Sequence, residues 1–343
     1  MKKILNTLYV TSENSYLGLD GETLVVYDGE QKAGQLPLHN LDGIVSFGYR
    51  GISPALLGAC MDKRISVSFL TPQGKFLARV TGKNCGNVIL RERQFASMGD
   101  SELNLEIAKN CILGKVYNSR WILERAIRDH SLQIDVEKVR NASQNLKQSL
   151  RYIQDAESVD RLRGYEGAAA NVYFGVFDEL ILQQKNDFYF HGRSKRPPMD
   201  NMNALLSFVY TLLTNQMTAA LETVGLDPCV GYLHTIRPGR SSLALDLIEE
   251  LRAPLADRFV LSLINKKILN KKNFKKKENG AVLMDDESRK KILTEWQRKK
   301  TETITHPFLK EKVQWGMMPH IQAMLLSRYL RGELDGYPVF LWK

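Results

Sequence analysis

Cysteine is scarce in this chain. Four residues in 343 (Cys60, Cys85, Cys111 and Cys229) are scattered, with no Cys-x-x-Cys pair. That excludes a zinc knuckle and a disulfide framework, and a reducing cytoplasm is the expected setting. Long apolar runs are also missing. None reaches the length a bilayer demands, so no membrane association is expected. The start, MKKILNTLYVTSENSY, has two lysines, but Asn6, Thr7 and Ser12 break its apolar stretch, which excludes a secretory signal. Internal repeats are absent. Acidic residues are in deficit, 38 against 48 Lys and Arg, giving a net charge of +10 and a pI near 9.3. A surplus of this size favours polyanions, nucleic acid above all, through counterion release at phosphates.

What is present divides into two patterns. At 43% apolar and 25% charged residues the composition is that of a globular protein, and 343 residues suit two domains. Up to about residue 80 the pattern is that of strands. SYLGLDGETLVVYDGEQKAGQLPL alternates β-rich runs with Asp20-Gly21 and Asp28-Gly29, a strong hairpin signal. GIVSFG and ISVSFL read as apolar strands, and TPQGKFLARV as a turn and a strand. Between them SPALLGACMDKR predicts a short helix with Ser53 as N-cap and Pro54 in its first turn. TGKNCGN, residues 81–87, has linker composition. Beyond it the period becomes helical. The expected fold is therefore α+β: a small β-rich N-terminal domain (1–80) followed by a larger all-α domain (88–343). Charge is uneven as well. Residues 266–300 hold 13 Lys or Arg against 5 Asp or Glu, a surplus of 8 that leaves only +2 for the rest. Within that run NFKKKENGAVLM suits a small hairpin, followed by a helix from Ser288 to Thr305.

Three stretches of the helical half carry candidate chemistry. In LRGYEGAAANVYF, Glu166 lies between Gly164 and Gly167 in an apolar helix. Glycine inside a helix costs about 1 kcal/mol relative to alanine, so the pair suggests close approach of a backbone or a ligand. In FYFHGRSKRPPMDNMNALLSF, His191, Arg193, Lys195 and Arg196 form a basic turn. The aromatics Phe188, Tyr189 and Phe190 could stack on a base there, and Asp200 or Asn201 can cap the next helix. In HTIRPGRSSLALDLIEELRAPL, Leu243, Leu247, Ile248, Leu251 and Leu255 form an apolar helical face. Asp246, Glu249 and Glu250 gather on another face beside His234, and Ser241 or Ser242 can cap the helix. Carboxylates with one imidazole are a ligand set for Mg²⁺ or Mn²⁺ rather than structural Zn²⁺. The plainer alternative is a solvated acidic face next to an unrelated loop histidine.

RGYEGAAANVYF, RSKRPPMDNMNALLSFVYTLL and GYLHTIRPGRSSLALDLIEELR, in this order, resemble the CRISPR-associated adaptation integrases. The wording GYEG and RSKRPP is nearest to the type I-C branch. The resemblance implies a divalent-metal-dependent DNA endonuclease and integrase that inserts new spacers into CRISPR arrays. It implies Glu166, His234 and Glu249 as metal ligands, with Asp246 at a further acidic position of the same site. It also implies a homodimer made through the N-terminal domain, a heterohexamer with a small adaptation partner protein, and in some systems a trimming nuclease. Arg193, Lys195, Arg196, Arg237 and Arg240 near the site, and Lys271, Lys272, Lys275, Lys276 and Lys277 in the basic run, are the expected contacts to DNA phosphates. Two other functions fit the residues: a non-catalytic nucleic-acid-binding protein, and a stand-alone metal-dependent phosphodiesterase acting on RNA or branched DNA.

Overall fold

The computed structural model describes residues 7–12, 14–47, 50–71, 76–82, 88–194 and 196–343. Most of the expected linker (83–87) and the turn at 72–75 lie outside these residues. The chain forms two compact units: Met1–Cys85 with Met284–Glu302 and Gln314–Met317, and Gly86–Leu283 with Thr303–Val313 and Met318–Lys343.

The first unit holds two small sheets. In one, β1 (Thr7–Val10), β5 (Gly43–Ser46) and β6 (Ser66–Leu70) run parallel, and β7 (Phe76–Val80) is antiparallel to β6. The other is the antiparallel meander β2 (Ser15–Asp20), β3 (Thr23–Asp28) and β4 (Gln31–Pro37). Asp20 pairs with Thr23 and Asp28 with Gln31, so each expected turn is a two-residue hairpin. Gly21 (φ +58) and Gly29 (φ +64) take the left-handed position that glycine adopts without a Cβ clash. Helix α1 (Pro54–Asp62) starts as expected, with Ser53 Oγ accepting from Leu56 N–H at 3.2 Å. Its Leu56 and Cys60 pack with Leu17, Leu24, Leu38, Ile44 and Val67 to make this unit's core.

The lysine-rich region departs from expectation at its end. The hairpin forms, from β8 (Phe274–Lys276) and β9 (Val282–Met284). The following helix α9 is Asp286–Thr301, capped by Asp285, and gives way to β10 (Thr303–Thr305), which pairs with β11 (Lys312–Gln314). The β-branched run Thr303-Ile304-Thr305 favours strand over another helical turn. Helix α9 clusters with the first unit rather than with the helical one. Gln297 Nε2 donates to Thr7 O at 2.6 Å and Lys300 Nζ to Thr7 Oγ1 at 3.0 Å, which docks α9 on β1.

The second unit is built from α2 (Val88–Ser97), α3 (Ser101–His130), α4 (Val136–Gln154), α5 (Val159–Gly175), α6 (Asn201–Val224), α7 (Ser242–Leu251), α8 (Arg258–Asn265) and α10 (Met318–Leu330). Helix α3 packs on α4, α5 and α7, and α6 packs on α7 and α10. Against the expectation that no apolar run reaches that length, α6 is long and apolar enough to cross a membrane, but Met202, Leu205, Leu206, Val209, Leu213, Met217 and Leu221 bury it in this core. Asp200 caps it, accepting from Asn203 N–H at 2.7 Å.

Two devices fix α7. At Gly114 of α3 a Cβ would lie 2.8 Å from Glu250 Cβ and 2.5 Å from Val339 Cγ2, so only glycine lets the helices approach this closely. Beyond α7, Pro254 has no N–H for the Glu250 carbonyl four residues earlier, and the chain widens into a π-turn, Arg252–Asp257. Asn118 Nδ2 donates to that freed carbonyl at 2.7 Å.

Candidate metal and nucleic-acid site

Asp246 organises the site from below. It is completely buried and accepts from four donors. Oδ2 takes the N–H groups of Tyr232 (2.7 Å) and Leu233 (3.0 Å); Oδ1 takes His234 N–H (3.0 Å) and lies 2.6 Å from His234 Nδ1. A carboxylate accepts only, so Nδ1 carries a proton and Nε2 is the ring nitrogen turned towards the pocket. Gly231 makes this wrap possible, because a Cβ there would lie 2.7–2.8 Å from backbone atoms of Ser242 and Leu243. From α5, Arg163 steadies the same loop: Nε and one NH₂ donate to Leu233 O at 2.9 and 2.6 Å.

His234 Nε2 faces Glu249, 4.0 Å from its Oε1. The Arg252 guanidinium is 3.1 Å from that same oxygen. Glu249 Oε2 is buried with no well-directed hydrogen-bond donor; its neighbour is the Lys115 ammonium at 2.9 Å. The same ammonium, projecting from the middle of α3, also contacts Glu166 Oε1 on α5. Burial opposes ionisation of Glu249, yet Arg252 and Lys115 outweigh it and hold its pKa down to about 2. For Lys115 too, burial is outweighed by Glu249 and Glu166, and its pKa is raised. Both groups are charged at neutral pH.

The acidic helix face divides. Glu250 does not join Glu249 but points the other way, accepting from Phe340 N–H (2.6 Å), Gln322 Nε2 (3.1 Å) and the Tyr337 hydroxyl. Burial pushes its pKa up to about 7, against those hydrogen bonds. Asp246, Glu249 and Glu250 are all buried, which overturns the solvated-face alternative. The helix cap also differs. Ser241 makes no side-chain cap, and Ser242 Oγ donates to Thr235 O at 3.3 Å.

Around Gly164 and Gly167 there is open space, not the close backbone expected, so the pocket edge beside Glu166 is uncrowded. Sequence pattern does not single out Lys115 or Arg252. The one signal for Lys115 is a lone cation between Leu113 and Val116 in an otherwise apolar helical pattern.

The basic residues sort differently from expectation. Lys195 lies outside the described residues. Arg193 is spent inside the fold: it donates to Ser194 O (2.9 Å), Ser207 Oγ (3.1 Å) and Asn203 Oδ1, and stacks on Tyr210 at 5.3 Å. It is not a free phosphate ligand. Tyr210 is sandwiched, since Arg252 covers it too at 4.9 Å, and its hydroxyl donates to Asp257 Oδ1 at 2.5 Å. Phe188 and Phe190 are buried, leaving only Tyr189 of that trio exposed, stacked on His191 at 4.9 Å. Arg196 and Arg237 are exposed, and Arg240 is half-buried with NH1 3.4 Å from Thr235 O. Lys271, Lys272, Lys275, Lys276 and Lys277 are all exposed. Their hairpin joins the Arg193–Pro198 loop: Val282 N–H donates to Pro198 O at 2.9 Å, and Lys271 pairs with Asp187 at 3.3 Å. Arg196 and the hairpin lysines, distant in sequence, thus lie on segments that are joined in space.

The donor set fits a divalent cation. Two carboxylates already converge on one positive charge, and the imidazole Nε2 faces one of them. Among the described residues, no three His, Cys, Asp or Glu side chains stand together as a group that could hold a metal ion as they are placed. Lys115 stands between the two glutamates instead.

The family model for the CRISPR associated protein Cas1 matches residues 8–298. The CRISPR-associated endonuclease Cas1 1 of Chlorobaculum tepidum is 47% identical over 343 residues, covering all of both chains. Cas1 2 of Rhodospirillum rubrum is 50% identical over 348 residues, again covering both completely. In fold the chain is similar to a casposase bound to integration product (TM-score 0.82, 23% identity, 98% of this chain and 93% of that one). It is also similar to a chain of a Cas6-RT-Cas1–Cas2 complex (TM-score 0.83, 20% identity, all of this chain and 37% of that one). On its sequence, the chain belongs to the CRISPR-associated Cas1 family.

Proposed function

We propose that the chain is a divalent-metal-dependent DNA endonuclease and integrase that inserts short DNA fragments into a CRISPR array, a DNA 3′-hydroxyl attacking the array phosphodiester. The observation that carries this reading is the convergence of Glu166 and Glu249 on one cation, with His234 Nε2 4.0 Å from Glu249. Glu166, His234 and Glu249 are the ligands, and Asp246 orients His234 from behind. A carboxylate cluster repels DNA, so its place in a basic protein makes sense only around a cation. Mg²⁺ or Mn²⁺ bound there would stabilise charge on the scissile phosphate and on the attacking or leaving oxygen. Asp246 keeps the proton on Nδ1 and so frees Nε2. Arg252 fixes Glu249 and offsets its charge. Arg196, Arg237, Arg240, Lys195 and the five hairpin lysines form the phosphate track, which supplies affinity without reading sequence.

The β-rich unit lacks an acidic and histidine cluster among its described residues and serves as the homodimer surface. Family membership further supports a cytoplasmic heterohexamer with the small adaptation partner, joined in some systems by a trimming nuclease. The GYEG and RSKRPP wording supports the type I-C branch.

The decisive experiment combines purified protein, its small partner, labelled DNA fragments and a supercoiled plasmid carrying the array. Strand-transfer products should form with Mn²⁺ or Mg²⁺ and vanish in Glu166→Ala, His234→Ala and Glu249→Ala. Cleavage of RNA or branched DNA with no strand transfer would replace this reading with the stand-alone phosphodiesterase.

A further inference from the structure

The ammonium of Lys115, we propose, is a resident cation of the acidic pocket that a divalent ion must displace in order to bind. The inference rests on the metal-site reading above and adds a competitor to it. Lys115 is almost enclosed, with 12% of its side chain exposed, and it reaches the pocket from α3, a helix carrying none of the three ligands. Its Nζ contacts Glu166 Oε1 and lies 2.9 Å from Glu249 Oε2. The other Glu249 oxygen is already taken by Arg252 at 3.1 Å. Lys115 therefore holds one oxygen of each of the two carboxylates proposed to bind the metal.

Size forbids sharing. Hard divalent ions bind oxygen at about 2.0–2.6 Å. An ion at that distance from the same two oxygens would overlap the nitrogen already touching both. Charge makes the exchange favourable. Glu166 and Glu249, the two carboxylates that Lys115 touches, share its single positive charge. A doubly charged ion in place of the ammonium brings them one more. Before the ion arrives, Lys115 holds two buried or half-buried carboxylates together. Afterwards its amine is released towards solvent and substrate.

The competition has a sign that a merely structural lysine lacks. Mn²⁺ is titrated calorimetrically into the full-length wild type, Lys115→Met, Lys115→Arg and Glu166→Ala, with thermal melts of each metal-free protein. Lys115→Met should melt lower than wild type without metal, yet bind Mn²⁺ about tenfold more tightly, as expected when one like charge leaves the pocket. Lys115→Arg, with a bulkier cation, should bind more weakly than wild type. In a second measurement, acetylation of Lys115 in the wild type is followed by peptide mass spectrometry. It should be slow in metal-free protein and rise with Mn²⁺ occupancy. Unchanged or weaker Mn²⁺ binding by a folded Lys115→Met overturns the proposal, as does acetylation indifferent to Mn²⁺. If Lys115→Met does not fold, the acetylation result decides alone. Wild-type binding that Glu166→Ala abolishes, with Lys115→Met no tighter, rejects the inference and leaves the metal site standing. Mn²⁺ binding in none of the proteins rejects both.

Discussion

Asp246 shows how much one side chain can be asked to do. Both its oxygens are occupied, three times by backbone N–H groups and once by His234 Nδ1. Asp246→Asn would turn one acceptor into an NH₂ facing buried donors. Leaving such groups unpaired costs about 1–3 kcal/mol. The melting temperature should fall, and Mn²⁺ affinity should drop by roughly 10–100-fold, the usual cost of losing a histidine's outer partner. Calorimetry that finds both unchanged would remove Asp246 from its orienting role. The division of labour between Asp246 and Glu249 is not legible in the sequence. Spacing of three residues puts both on one helical face, but the backbone of the Gly231–His234 loop decides which of them is saturated. Glu166, His234 and Glu249 are readable from the three ordered blocks. Lys115 and Arg252 are not, because each sits among apolar residues whose period remains intact when a cation is inserted.

At the level of elements, local chemistry reads well where a cap or a turn residue acts alone. Ser53, Asp200, Gly21 and Gly29 do what their types dictate. Long-range membership reads poorly, and α9 is the case in point. Its docking on β1 through Lys300 depends on a partner nearly three hundred residues away, for which the periodicity of α9 holds no signal. That docking carries a pH signature. Burial lowers the Lys300 pKa to about 8 from an ordinary 10.5, against the opposing pull of Asp42. Below pH 8 both folded and unfolded forms carry the proton, and the folded form bears the cost of burying a charge. Between pH 8 and 10.5 the unfolded form binds more protons, so stability rises across that window. The shift corresponds to about 3 kcal/mol. Lys300→Met should therefore raise the melting temperature at pH 7, and the gain should shrink as pH climbs through 8 towards 10.5. A gain of equal size at both ends would show that Lys300 is uncharged, or well solvated, in the fold.

For the whole molecule the governing quantity is where the charge surplus resides. The lysine hairpin is joined to Pro198, two residues after the exposed Arg196, although some eighty residues separate them in sequence. Replacing Lys271, Lys272, Lys275, Lys276 and Lys277 together by Gln should weaken binding to all duplexes alike. It should also flatten the slope of log K against log salt by about 0.9 for each phosphate that a lysine no longer neutralises. Mn²⁺ binding should be untouched. Equal slopes for the two proteins would shift the track to Arg196, Arg237 and Arg240. The irregular stretch after Tyr337 has a different kind of consequence. Phe340 N–H is bound to Glu250, on the helix that presents Glu249, and Trp342 N–H to Asn118 of α3 at 2.8 Å, so residues 340–342 are stitched to both helices. Glu250 is one peptide bond from a proposed metal ligand. A load applied through Lys343, as by a tether, would therefore reach the helix that carries the proposed ligand Glu249. For anyone tethering this protein to a surface or a reporter, that end is the wrong handle.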